Sequence, residues 1–295
     1  MATVTARTST RRPSRQRSAL HPSRMRLVLL WTLNVLFLLF FLFPFYWQTI
    51  TAFKPDAEIM SSPVEWFPSR LDLSHFQSVF TNFGFGRNIV NSIVVAGLTT
   101  LLCLLFGIFA AYAIAKLPLP AKRPIMIGVV VMVTFPGIAL VAPLFILLRG
   151  LGWTDTYLAL IIPYAAFSLP FTVWVLTNFF RDIPSDLARQ AEVDGCSPLQ
   201  ALFRVILPLA APGLVTAGLL VFIGAWNEFL FAFTFTSSSN AMTVPVAIAG
   251  FSGDHTVPWG EIMAGSELVT LPIIVLVLLF QRRIVQGLTA GATKG

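Results

Sequence analysis

The sequence predicts an all-α integral membrane protein with six transmembrane helices. Of its 295 residues, 56% are apolar and only 11% charged, against roughly 25% charged in soluble domains. Six apolar stretches, residues 27–48, 88–115, 125–148, 157–179, 209–233 and 263–280, have the length needed to cross about 30 Å of hydrocarbon. Between the fourth and fifth lies a charged, helix-forming island, Pro184 to Pro208, whose pieces are too short to cross.

The chain opens with Arg7, Arg11, Arg12, Arg15, Arg17, Arg24 and Arg26, all before the first acid, Asp56. They account for the net charge of +7, so the rest of the protein is neutral in sum and the charge is no nucleic-acid signal. Ser, Thr and Pro between the arginines, without apolar periodicity, predict a disordered basic tail over residues 1–24. Its expected role is orientation and attraction to anionic headgroups. The first apolar stretch is too long for a signal-peptide core and lacks a small-residue cleavage site, so it reads as a retained span.

In the segment after it, Ser74-His75-Phe76-Gln77 has the form of a capping box ahead of Val79, Phe80 and Phe83, which predicts a short amphipathic helix on the outer face. His21, His75 and His255 fall in loops or tails with no partner at ligand spacing and are expected to be solvated surface residues. Cys103 and Cys196 form no CxxC and read as small packing residues, with no metal or disulfide implied. Gly97, Gly107, Pro136, Gly137, Pro143, Pro163 and Pro170 inside spans predict kinked helices in a closely packed bundle.

The island itself is read as two short helices joined by a turn. Pro184 suits the first helical position and Gly195, after Asp194, suits a left-handed close. Ser197 as N-cap, Pro198 next and Gln200 three residues after the cap have the form of a second capping box, with Pro208 marking the end. Such an elbow lies at a membrane surface, where another protein can touch it.

In the fifth stretch, Trp226-Asn227-Glu228-Phe229 places a carboxylate near the outer end. A carboxylate at mid-bilayer costs about 2.5–3.5 kcal/mol on insertion scales. Glu228 therefore faces a wet cavity or a partner helix, or else is hydrated within an interfacial aromatic belt; the sequence leaves both open.

Orientation follows from Lys and Arg in the connections. One side holds the seven tail arginines, Lys116, Lys122, Arg123, Arg181, Arg189, Arg204, Arg282, Arg283 and Lys294, sixteen in all; the other holds Lys54, Arg70, Arg87 and Arg149. The split predicts a multi-pass cell-membrane protein with both termini and the elbow in the cytoplasm. No GxxxxGK[ST] phosphate loop is present, so the chain is not expected to hydrolyse nucleotides, and no HExxH or GxSxG supports hydrolytic chemistry. Few ionisable residues lie inside spans, which counts against an ion-coupled secondary carrier.

Ala191-Glu192-Val193-Asp194-Gly195-Cys196-Ser197-Pro198, continuing to Phe203, Ile206, Leu207 and Pro208, resembles the "EAA" loop of permease subunits of binding-protein-dependent ABC importers. Trp226-Asn227-Glu228-Phe229, Asn91-Ser92, Ala110-Ala111-Tyr112-Ala113 and the C-terminus from Val285 are similar to the maltose/oligosaccharide branch, and the resemblance extends from residue 27 onward. It implies a type I, maltose-permease-like arrangement: a six-helix permease domain over 25–280, a coupling loop at 181–208 and a cytoplasmic tail over 281–295. It implies that Leu187, Arg189, Gln190, Ala191, Asp194, Gly195, Ser197 and Pro208 meet a separate ATPase, that Gln286, Gly287, Gly291 and Lys294 reach toward it, and that Trp226, Asn227, Glu228 and Phe229 line the pathway. Read alone, the C-terminus is a frayed end. The partners implied are a second permease, an ABC ATPase dimer carrying ATP and Mg, an extracytoplasmic solute-binding protein and the bilayer. No cofactor is implied for this chain. The solute implied is a sugar, with a polyol or glycerol phosphate as the alternative. The chain departs from the family at one point: Arg189 stands where a glutamate is usual and Gln190 replaces the first alanine, which reverses the charge offered there.

Overall fold

The structure, a computed structural model, describes residues 24–251 and 257–289, with side chains of the last helix described through Arg282. All regular structure among the described residues is helical. Helix α1 (Arg24–Ala52) is apolar almost throughout and is followed by the short α2 (Asp56–Ile59) and α3 (Ser74–Thr81). The long α4 (Phe85–Lys116) comes next, then α5 (Lys122–Val133), a 3₁₀ turn (Gly137–Leu140) and α6 (Val141–Gly150). Helix α7 (Tyr157–Asp182) leads into the elbow helices α8 (Ser185–Val193) and α9 (Pro198–Ala201). A π-turn (Leu202–Ile206) and α10 (Leu207–Leu209) precede α11 (Ala211–Trp226); α12 (Leu230–Phe235), α13 (Val244–Ala249) and α14 (Trp259–Thr289) complete the chain. The chain forms two compact units that divide within α1 after Trp47.

Four helices, α1, α4, α7 and α14, are each long and apolar enough to cross a membrane. The count reaches six when each of two bent pairs is one span: α5 with the segment Gly137–Gly150, bent by 84°, and Pro198–Leu209 with α11, bent by 80°. The first bend falls at Pro136-Gly137, where a proline cannot donate to the helix ladder. The second falls at Ala210 and not at Pro208. The π-turn over Leu202–Ile206 widens the helix ahead of Pro208, relieving the clash its ring would make with the preceding turn, and the helix runs through the proline.

The frame is built on α4 packed along α7, with α11 against both. At Gly213 the approach of α11 to α7 is so close that a Cβ would stand 2.4 Å from the Phe179 ring, so only glycine fits. One core cluster (Val95, Leu160, Tyr164, Trp226, Phe231, Phe235) fills one end of this frame. A second (Tyr112, Leu176, Phe180, Ala188, Leu202, Ile206) fills the other and includes the elbow's buried side chains. A third (Ala52, Val79, Phe85, Val244, Phe251, Ala264) seats α3 and α13 against α4 and α14.

Two expectations for the segment around α3 are corrected. Helix α3 forms, but Ser74 is not its cap: the Asp72 carboxylate accepts from the Ser74 backbone N–H at 2.9 Å, because Asp72 is the first acceptor upstream of the turn. His75 is not a surface residue. It is 2% exposed, accepts no room from Gly260, where a Cβ would meet its ring, and bonds the Lys54 carbonyl at 2.8 Å. Helix α14 continues to Thr289, so the expected tail from 281 is helical where it begins; Gln281 and Arg282 end the apolar run without ending a helix they favour. The tail expectations at Gly291 and Lys294, the basic tail over residues 1–23 with His21, and His255 lie outside the described residues.

Candidate functional site

The elbow is built by local chemistry. Pro184 stands one place ahead of α8, as its N-cap. The helix ends with Gly195 at φ +88°, the left-handed close expected of it. The Cys196 N–H bonds back to the Ala191 carbonyl at 2.9 Å and the Gly195 N–H to Glu192 at 3.0 Å. This six-to-one and five-to-two pair is the Schellman arrangement, which satisfies carbonyls that would otherwise be orphaned. Two residues later the capping box forms: Ser197 Oγ accepts from the Gln200 N–H at 3.3 Å, and Gln200 Oε1 from the Ser197 N–H at 2.9 Å.

Both helices are held to the frame. Ala188 and Ala191 are buried, small enough to let α8 lie close, and Leu202 and Ile206 are fully buried. Tyr112 of α4 donates to the Pro198 carbonyl at 3.0 Å, and Lys116 at the end of α4 donates to the Ile183 carbonyl. What faces outward is a concave patch formed by Asp186, Arg189, Gln190, Val193 and Asp194, with Val193 87% exposed. Arg189 pairs with Asp186 at 3.4 Å one turn away, so the reversed charge at this position is partly balanced on its own helix. Leu187 is half-buried behind this patch and Ser197 is exposed beside it.

The other sequence-predicted group separates. Trp226 is 1% exposed and stacks on Phe222 inside the core, centroids 5.7 Å apart. Glu228 turns inward, its Oε2 accepting from Tyr164 of α7 at 2.5 Å and from the Ala232 N–H at 3.2 Å, and its Oε1 from the Phe231 N–H at 3.0 Å. A carboxylate at the start of α12 satisfies orphan N–H groups and the helix dipole at once. Of the two readings of Glu228, the partner helix is the one realised. Asn227 and Phe229 are exposed.

Sequence reasoning missed two polar ties. Asp155, left-handed at φ +59°, accepts from the Ser237 and Ser238 N–H groups, both at 3.0 Å, and from Ser238 Oγ at 2.5 Å. Burial pushes its carboxyl upward, but these hydrogen bonds outweigh that and hold it below its ordinary range. Its neighbours Asn91 and Tyr157 bond each other at 2.7 Å, and Asn88 and Asn91 both donate to the Met242 carbonyl, so the Asn91-Ser92 pair anchors the 237–244 connection. Glu267, inside the sixth apolar stretch, accepts from Gln48 and Thr49 at 3.2 and 3.3 Å. Its carboxylate in an apolar run was the available signal. No group of side chains among the described residues could hold a metal ion.

A family model described as "Binding-protein-dependent transport system inner membrane component" matches residues 103–290, which include the elbow, Glu228 and α14. The chain belongs to this family. The permease is 45% identical over 257 residues to the trehalose transport system permease protein SugB of Mycobacterium tuberculosis, covering 86% of this chain and 93% of that one. It is 42% identical over 257 residues to the trehalose/maltose transport system permease protein MalG of Thermococcus litoralis, covering 86% and 92%. It is 40% identical over 254 residues to the sulfoquinovosyl glycerol transport system permease protein SmoH of Agrobacterium fabrum, covering 86% and 89%. In fold it matches a chain in the crystal structure of a bacterial ABC transporter involved in the import of the acidic polysaccharide alginate. There the TM-score is 0.75 and the identity 23%, over 92% of this chain and 99% of that one. The protein is thus a multi-pass permease subunit of an ABC importer, a transport component and not an enzyme.

Proposed function

We propose that this permease forms half of the translocation pathway of an ATP-driven sugar importer, and that its elbow docks on a separate ATPase carrying ATP and Mg. The observation that carries the docking reading is the elbow's construction. Two short helices closed by a Schellman turn and a capping box present an exposed Val193 among polar side chains, while Ala188, Leu202 and Ile206 fix them to α4 and α7. A capped, anchored knob passes a rigid displacement to the membrane helices where a loose loop would absorb it. Arg189, Gln190 and Asp194 supply the polar rim, and in this reading the C-terminal residues Gln286, Gly287, Gly291 and Lys294 meet the same ATPase.

Similarity to relatives named for trehalose, maltose and a sulfoquinovosyl glycerol supports a glycoside as solute. A solved complex of the alginate transporter with its oligosaccharide-bound periplasmic protein supports a binding-protein partner; a second permease completes the channel. Of the Trp226–Phe229 group, Asn227 and Phe229 are the exposed residues and would meet the solute.

The test is Gly195→Asp in the assembled importer. A side chain at φ +88° costs about 1–2 kcal/mol locally, and no atom crowds the site, so insertion and overall stability stay near wild type. Uptake of radiolabelled disaccharide is expected to fall to background, with ATP hydrolysis no longer stimulated by solute. Wild-type uptake by the variant removes the coupling reading.

A further inference from the structure

A cavity of about 380 Å³ lies between α8 and the turn that joins α4 to α5, lined by Tyr112, Lys116, Lys122, Ser185, Arg189 and Glu192 among others. Its charge is lopsided: three cations face one carboxylate. Lys116 and Lys122 are half-buried. Among the described residues the Lys116 ammonium bonds only the Ile183 carbonyl and Lys122 has no hydrogen-bond or ion-pair partner, while Arg189 is turned to Asp186. Half-buried ammonium groups with no carboxylate in ion-pair contact draw an anion, because each keeps only part of its hydration and has no counterion beside it. A second feature points the same way. Helix α5 starts at Lys122 with no side-chain cap, leaving N–H groups and the positive end of its dipole at the cavity.

The surroundings select the kind of anion. Directly after Lys122-Arg123, α5 exposes Ile125, Ile127, Val130 and Val131, an apolar surface leading from the charged mouth along the helix. A ligand that satisfies both is a phosphate carrying acyl chains. We propose that this cavity binds the phosphodiester headgroup of an anionic phospholipid, held by Lys116 and Lys122 with its acyl chains along α5. The site lies on the frame side of α8 and shares only Arg189 with the outward patch of the elbow, so it does not depend on the docking reading.

The experiment is native mass spectrometry of the full chain extracted from mixed phosphatidylglycerol and phosphatidylcholine vesicles. Wild type is expected to retain phosphatidylglycerol preferentially, and Lys122→Gln, which breaks no hydrogen bond or ion pair among the described residues, to lower that retention about fivefold. Lys116→Gln with Lys122→Gln is expected to abolish the preference, while Arg149→Gln, a cation at the opposite end, leaves it unchanged. Equal retention of both lipids by wild type, or unchanged retention by Lys122→Gln, overturns the site. Glycerol phosphate in solution displacing the lipid completely overturns the assignment to a lipid.

Discussion

At the residue scale, the same side chain type does different work according to the partners the fold brings it. Glu228 and Asp155 are both carboxylates that accept two backbone N–H groups and one hydroxyl, and each closes a break in the helical frame: Glu228 the gap between α11 and α12, Asp155 the turn that follows α12. Neither pairing is visible in the sequence, since Tyr164 lies 64 residues from Glu228 and Ser238 lies 83 from Asp155. The caps of the elbow were legible because every partner is within five residues. His75 shows the converse: the groups that enclose it, Gly260, Glu261 and the Lys54 carbonyl, are all distant in sequence. Asp155 allows a test by pH. Its folded-state pKa is lowered, so its stabilisation is complete at neutral pH and is lost as pH falls through that lowered value. Asp155→Asn is expected to lower the melting temperature of the detergent-solubilised protein at pH 7, with the gap to wild type closing as pH drops below about 4.

At the element scale, the apolar runs predicted the helices while the turns between them depended on geometry that composition does not encode. Pro136-Gly137 marks the bend of the third stretch, and the bend is there. Pro208 gave a similar signal and misled, because a π-turn, set by how Leu202 and Ile206 pack on α4 and α7, carries the helix two residues further. The extension of α14 past Phe280 was hidden for a different reason: polar residues end a membrane span without ending a helix. This view makes the anchoring of the elbow separable from its outward surface. Leu202 is fully buried, so Leu202→Ala is expected to cost about 2–5 kcal/mol and to lower both the melting temperature and uptake. Gly195→Asp is expected to lower uptake alone. Loss of uptake by Leu202→Ala at an unchanged melting temperature would show that the elbow does not depend on this packing.

At the scale of the whole molecule, charge asymmetry and helix connectivity were read independently and the folded chain ties them together. The ends of α4 and α7 that carry Lys116 and Arg181 meet at the elbow, through the Lys116 bond to Ile183 and the Tyr112 bond to Pro198. Their opposite ends are joined by Tyr157 to Asn91, with Arg87 bonded to Asn240 of the following connection at 3.0 Å. Lys116 and Arg181 therefore sit at one end of this frame and Arg87 at the other. We propose from the excess of Lys and Arg that the elbow end is cytoplasmic, because basic connections are retained on that side. Two exposed positions separate the alternatives: Val193, 87% exposed on the elbow, and Leu71, 75% exposed beyond α2. With a membrane-impermeant maleimide, and Cys196 of the elbow replaced by Ser in both variants, Leu71→Cys is expected to label in intact cells and Val193→Cys only in inverted vesicles. The reverse pattern would turn the molecule over, place the elbow outside, and remove ATPase docking.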